Sequence, residues 1–109
     1  MTEYTLTVPT HVGYKIADYL GGLARAAGGV TMVKGYGSWF NPSTQQFDHE
    51  DVQLCTYIVD YTHHLFVQRL NAAVAAMHDE GEHTVLVRRL SGRGLVHFFL
   101  TRGEEVPFS

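Results

Sequence analysis

Residues Gly28–Trp39 read GGVTMVKGYGSW, and they mark the place where a helix stops and a strand begins. The pair Gly28-Gly29 supplies the left-handed backbone that helix ends favour. Beyond it, Gly35, Tyr36, Gly37, Ser38 and Trp39 alternate as strand residues do, so Gly35, Gly37 and Trp39 share one face. Glycine inside a strand weakens it and leaves backbone bare. Two glycines in alternation beside an aromatic make a shallow track on which a flat ligand, or another backbone, can lie.

Working outward from this stretch gives the rest of the fold. Upstream, Ile16, Leu20, Leu23, Ala24 and Ala27 keep helical spacing from about Val12. Before them, Tyr4, Leu6 and Val8 alternate with Thr5 and Thr7 as a strand that Pro9 ends. Downstream, a strand over Val30–Phe40, a polar turn Asn41–Gln45 and a strand over Phe47–Val59 form a hairpin. A second helix over about Thr62–His78 places Phe66, Leu70, Ala73, Val74 and Met77 on one stripe, which is the first helix's pattern shifted by fifty residues. Gly81 ends it. Strands over His83–Leu90 and Leu95–Leu100 follow, joined by Ser91-Gly92-Arg93. The halves therefore repeat strand, helix, strand. The class is α+β, a ferredoxin-like βαββαβ with an extra C-terminal strand, residues 1–100 forming a single domain and 101–109 a tail that is loose or laid on a neighbour. Right-handed crossovers put both helices on one sheet face. Leu54, Thr56 and Ile58 alternate with Cys55, Tyr57 and Val59, so the other face is apolar as well, and a homo-oligomer is the natural way to cover it.

Composition narrows the function. The chain has 109 residues, 45% hydrophobic and 17% charged, as a globular protein has. A net charge of -3 with eight Lys and Arg argues against a nucleic-acid partner. No apolar run reaches membrane-spanning length and the start, MTEYTLTV, lacks a signal core, so no membrane partner is expected. The single cysteine, Cys55, falls in a strand as a buried, inert thiol and fits a cytoplasmic location. Seven histidines invite a metal reading, yet His11, His49, His63, His64, His78, His83 and His97 show no ligand spacing, so no metal site or cofactor is assigned.

With Gly28, Gly29, Thr31, Gly35, Gly37 and Trp39 set in this order of elements, the chain resembles the PII-like superfamily over nearly all of residues 3 to 100. The resemblance implies a PII-like oligomer, a homotrimer of ferredoxin-like subunits. Its ligands, often adenine nucleotides, would sit in inter-subunit clefts at the base of the second-to-third strand loop. Here that loop is Asn41 to Gln45, with Trp39, Phe40, Phe47, His49 and Glu50 at its base. The loop is much shorter than in nitrogen-signalling members, and no basic nucleotide cluster stands out, which counts against a nitrogen regulator. Within the superfamily the chain also resembles the small phage enzymes that cleave S-adenosylmethionine, the S-adenosylmethionine lyases. By that resemblance an aromatic on the second strand and a glutamate on the third line the site: here Trp39, where tyrosine is usual, and Glu50. The implied function is binding of an adenosine-type small molecule, by a lyase or by a non-catalytic nucleotide-binding sensor or phage sponge protein. Copper-tolerance trimers share the layout and leave metal handling as a third reading.

The residues support Glu50 independently. If the hairpin closes about Asn41–Gln45, Phe40 lies opposite Phe47 and Glu50 opposite Gly37, on one face. The carboxylate then overhangs the glycine track beside Trp39, where a sulfonium or other cation is drawn to both. Lyase chemistry asks Glu50 or the ligand's own carboxylate to take a proton, helped by desolvation. The run Asp48, His49, Glu50, Asp51 equally suits a solvated arm that keeps a sheet edge polar, and a one-residue slip would turn Glu50 away. Arg88, Arg89 and Arg93 are the clustered cations. Of the strand pair, one faces each side, and either can pair with surface acids or meet a ligand's carboxylate or phosphate. No second acid–base group stands beside Glu50 in the sequence, which favours a binder over an enzyme.

Overall fold

The strand Thr2–Pro9 (β1) lies in the middle of the sheet, and its alternation explains why. Tyr4, Leu6 and Val8 are fully buried on one face, while Thr5 and Thr7 point to the other. A computed structural model describes residues 1–60 and 63–108. After β1 come a four-residue turn of helix (α1, Thr10–Gly13), a helix (α2, Ala17–Ala27), the hairpin strands Thr31–Asn41 (β2) and Gln46–Val59 (β3), a helix (α3, His63–Asp79), and the strands Val85–Ser91 (β4) and Gly94–Leu100 (β5). The sheet order is β2-β3-β1-β4-β5, antiparallel throughout. This is the ferredoxin-like α+β arrangement with β5 added at one edge.

The repeated stripe does what its spacing requires. Phe66, Leu70, Ala73, Val74 and Met77 are all buried, and Ile16 and Leu23 join them from the first half. Phe66 packs its ring 5.2 Å from Tyr4 and 5.3 Å from Tyr57, measured between centroids. Each such side chain removed from water contributes about 2 kcal/mol, which is why the helices lie on this face. Cys55 is buried among them, and burial pushes its thiol above its ordinary range.

Two details differ from the sequence reading. The first helix is broken: Val12 and Gly13 are buried against the sheet, so the chain turns through Tyr14–Ile16 before α2 starts. β4 starts at Val85 rather than His83, because Gly81 (φ 100°) caps α3 with a Schellman turn. In it the Gly81 amide donates to the His78 carbonyl and the Glu82 amide to that of Met77, which holds Glu82 and His83 out of the ladder. α3 begins at His63 among the described residues, and the expected start at Thr62 lies outside them. Part of the tail is held on its own chain. Val106 is buried, its amide donates to Asn71 Oδ1 (2.8 Å), and its carbonyl accepts from Asn71 Nδ2 (3.0 Å). A buried backbone pair answered by one side-chain amide is satisfied in both directions.

On the sheet face away from the helices, Val33, Ile58, Leu90, Leu95 and Phe99 are exposed. None of the helices among the described residues is long and apolar enough to cross a membrane. Because Asn71 answers both groups of Val106, Asn71→Ala strands a buried donor and a buried acceptor. Urea denaturation is expected to show a loss of about 2 kcal/mol; a loss under about 0.5 kcal/mol would mean that the tail adds little to the fold.

Candidate functional site

β1 ends at Pro9, opposite Val52, whereas β3 begins six residues earlier at Gln46. Over that stretch β3 pairs only with β2, so the β2–β3 hairpin stands out as an arm. A notch opens between the arm and the turn that connects α3 to β4. Its wider part, about 670 Å³, is lined by Trp39, Asp48, His49, Glu50, Glu82 and His83 among others. Its smaller part, about 250 Å³, lies under the open sheet face between Trp39, Glu50, Val52, Glu82, Leu86 and Phe99. Trp39, Glu50, Glu82 and Thr84 line both. No Lys or Arg lines either part among the described residues.

The register of the arm is the one its turn length dictates. Phe40 pairs with Phe47 and Gly37 with Glu50, so Glu50 shares its face with Gly35, Gly37 and Trp39. The turn is tied by Asn41, whose Oδ1 accepts from the Ser43 amide and whose Nδ2 donates to Asp48, with Gln45 at φ 59°. The glycine track, however, is not bare. A Cβ on Gly37 would meet the Trp39 ring at 2.1 Å, and one on Gly35 would meet Val52 at 3.2 Å. The glycines are there because side chains of the same chain lie on them: an indole two residues along a strand can fold back only over a position without a Cβ. The surface offered to a ligand is therefore the exposed face of the indole, which remains about half exposed.

The other residues divide between the notch and elsewhere. His49 is on the opposite face from Glu50, with Ser38 Oγ 2.8 Å from its Nδ1 and the Tyr36 ring stacked on it at 5.6 Å, and it reaches the notch only at the rim of its wider part. Arg88 and Arg89 are not brought to the notch. Arg88 stands on the open face opposite Thr5 and His97, in a groove with Glu3, Leu90 and Leu95. Arg89 turns to the helix face, beside Tyr4 and 5.1 Å from the Phe98 ring centre. The pair splits between faces because adjacent strand residues must. Among the described residues no three His, Cys, Asp or Glu side chains are grouped to hold a metal ion.

Sequence reasoning missed two neighbours of Glu50. His11, on α1, has its Nδ1 3.9 Å from Glu50 Oε2. Glu82 sits at the end of the α3 cap, and burial first, then the nearby Glu50 carboxylate, push its carboxyl above the ordinary range, with His11, His83 and His78 opposing. Neither lies near Glu50 in the chain. The available signal was topological: β4 flanks β1, and β1 stops at Pro9, so whatever precedes β4 must face the β3 overhang. The chain holds one tryptophan, which makes the indole's seat measurable. Gly37→Ala should leave the fold intact, swing the indole off the strand and shift its emission; an unchanged spectrum would contradict this packing.

The sequence matches no protein-family model and no curated protein. Two solved structures share the fold. One is a phage SAM lyase in complex with S-methyl-5'-thioadenosine, with a TM-score of 0.64 and 15% identity over 92% of this chain and 88% of that one. The other is a phage SAM lyase in its apo state, with a TM-score of 0.59 and 16% identity over 96% and 92%. The fold of this chain is thus similar to that of the phage SAM lyases.

Proposed function

We propose that the notch binds S-adenosylmethionine and that the protein cleaves it as a lyase, with Glu50 as the key carboxylate and Trp39 as the aromatic wall. The observation that carries this reading is the pairing of an indole face with Glu50 in a cavity that no Lys or Arg lines among the described residues, on a fold similar to one solved with S-methyl-5'-thioadenosine. Such a wall attracts a sulfonium or an ammonium and disfavours phosphates. That weighs against the nucleotide sensor or sponge, whose phosphates would need the arginines found elsewhere. The chemistry also suits the lining. An oxygen of the ligand's own carboxylate attacks its γ-carbon, the carbon–sulfur bond breaks, and the electron pair leaves on sulfur, giving methylthioadenosine and homoserine lactone. Opposite charges cancel along this path, so the apolar Val52, Leu86 and Phe99 favour it by excluding water. Glu50 holds the cationic part of the ligand so that the carboxylate meets the carbon. Gly35 and Gly37 seat the wall, and His49 borders the wider part.

The exposed apolar face supports a homotrimer, in which notches are completed by a second subunit. Sedimentation should give three chains per particle, and Ile58→Glu with Phe99→Glu should give monomers; a wild-type monomer would remove the inter-subunit site.

Incubation of the purified protein with S-adenosylmethionine should release methylthioadenosine and homoserine lactone. Glu50→Gln should lower kcat/KM by about a hundredfold or more, and Trp39→Ala by roughly tenfold. Absence of both products from wild type would overturn the lyase reading, and a thermal shift with S-adenosylmethionine would then support a binder.

A further inference from the structure

The geometry points to Glu82 as the second carboxyl of the binding site: it lines both parts of the notch with Glu50, and a cationic ligand that enters takes the place of a proton held between them and sends it to solvent. This inference rests on the reading of the notch as a site for a sulfonium or ammonium ligand. Three observations carry it. Glu82 and Glu50 line both parts of the same cavity, together with Trp39. The Glu82 backbone is fixed by two contacts, its amide on the Met77 carbonyl (3.1 Å) and its carbonyl 2.7 Å from His78 Nδ1, whose N–H donates to it. The carboxyl therefore cannot retreat by moving its loop. And the small part of the cavity is walled by Val52, Met77, Leu86 and Phe99, which makes two bare carboxylates costly there.

Glu50 faces Glu82 from β3, His11 from α1, and His78 and His83 from its own segment. Asp48 and His49 line the wider part of the same notch, and Lys15 is paired with Glu80 two residues before Glu82. Arg102 shares an open hollow with Glu82 and His83 and is engaged there by Asp79 and the His78 carbonyl. Burial and Glu50 both raise the Glu82 carboxyl, against the pull of the histidines. A raised carboxyl keeps its proton at a pH where an ordinary one has lost it. A cation entering the notch replaces that proton, so binding releases protons and tightens as pH rises through the raised range, then levels off. The slope is at most tenfold in affinity per pH unit, since one proton is exchanged.

Two measurements test this separately from the lyase reading. In the free protein, carbon NMR of the glutamate carboxyls should find Glu82 titrating above the ordinary range and moving down in Glu50→Gln; an ordinary Glu82 that ignores Glu50→Gln overturns the inference, whatever the ligand. In the second, S-adenosylmethionine affinity and the heat of binding are followed across pH in buffers of different ionisation enthalpy. Wild type should release protons and bind more tightly with rising pH. Glu82→Gln should lose that release and flatten the profile. Equal profiles for wild type and Glu82→Gln overturn the inference. Failure of S-adenosylmethionine to bind at any pH overturns the ligand reading instead, and the NMR result still decides the pair.

Discussion

Where β1 stops decides what this molecule can do. Proline has no amide hydrogen to continue a ladder, and Pro9 closes β1 opposite Val52 while β3 still has six residues to run. The hairpin overhang, the gap beside it and the meeting of that gap with the α3–β4 turn all descend from this mismatch in strand length. Were β1 longer, it would fill the place where Glu50, Trp39 and Glu82 converge.

The notch is also an electrostatic object. It is formed where three polypeptide segments end or begin, and such places leave polar groups that packing does not use. The β2–β3 ladder ties the backbone on one side, and the capped end of α3 ties it on the other. His11 stands at the outer edge, 3.9 Å from Glu50. The smaller part is walled largely by Pro9, Val52, Met77, Leu86 and Phe99, and apolar walls strengthen the charge interactions beside them.

The fold was legible wherever a single periodicity carried the information. The stripe from Ile16 to Ala27 and its echo from Phe66 to Met77 placed both helices, and the length of the Asn41–Gln45 turn fixed the pairing of Gly37 with Glu50. What escaped depended on contacts between segments distant in the chain. The break before α2 follows from burial of Val12 and Gly13, which helical spacing alone does not announce. The clamp of Asn71 on Val106 links residues thirty-five apart, with no pattern to betray it. For the site, Glu50 and Trp39 were visible because they share a hairpin, and Glu82 was not because it joins them only through the sheet order. The glycines were noticed for a true peculiarity, but the side chains that lie against them, Trp39 over Gly37 and Val52 beside Gly35, follow from packing that alternation does not announce.

The clamp on Val106 also has a practical meaning. Phe108, two residues further on, stacks on His64 at the start of α3 (4.4 Å between centroids), so the chain leaves the body on the helix layer, on the opposite side of the sheet from the apolar face. An anchor joined beyond that point would present the apolar sheet face outward, so a surface could hold the protein by it and leave that face free.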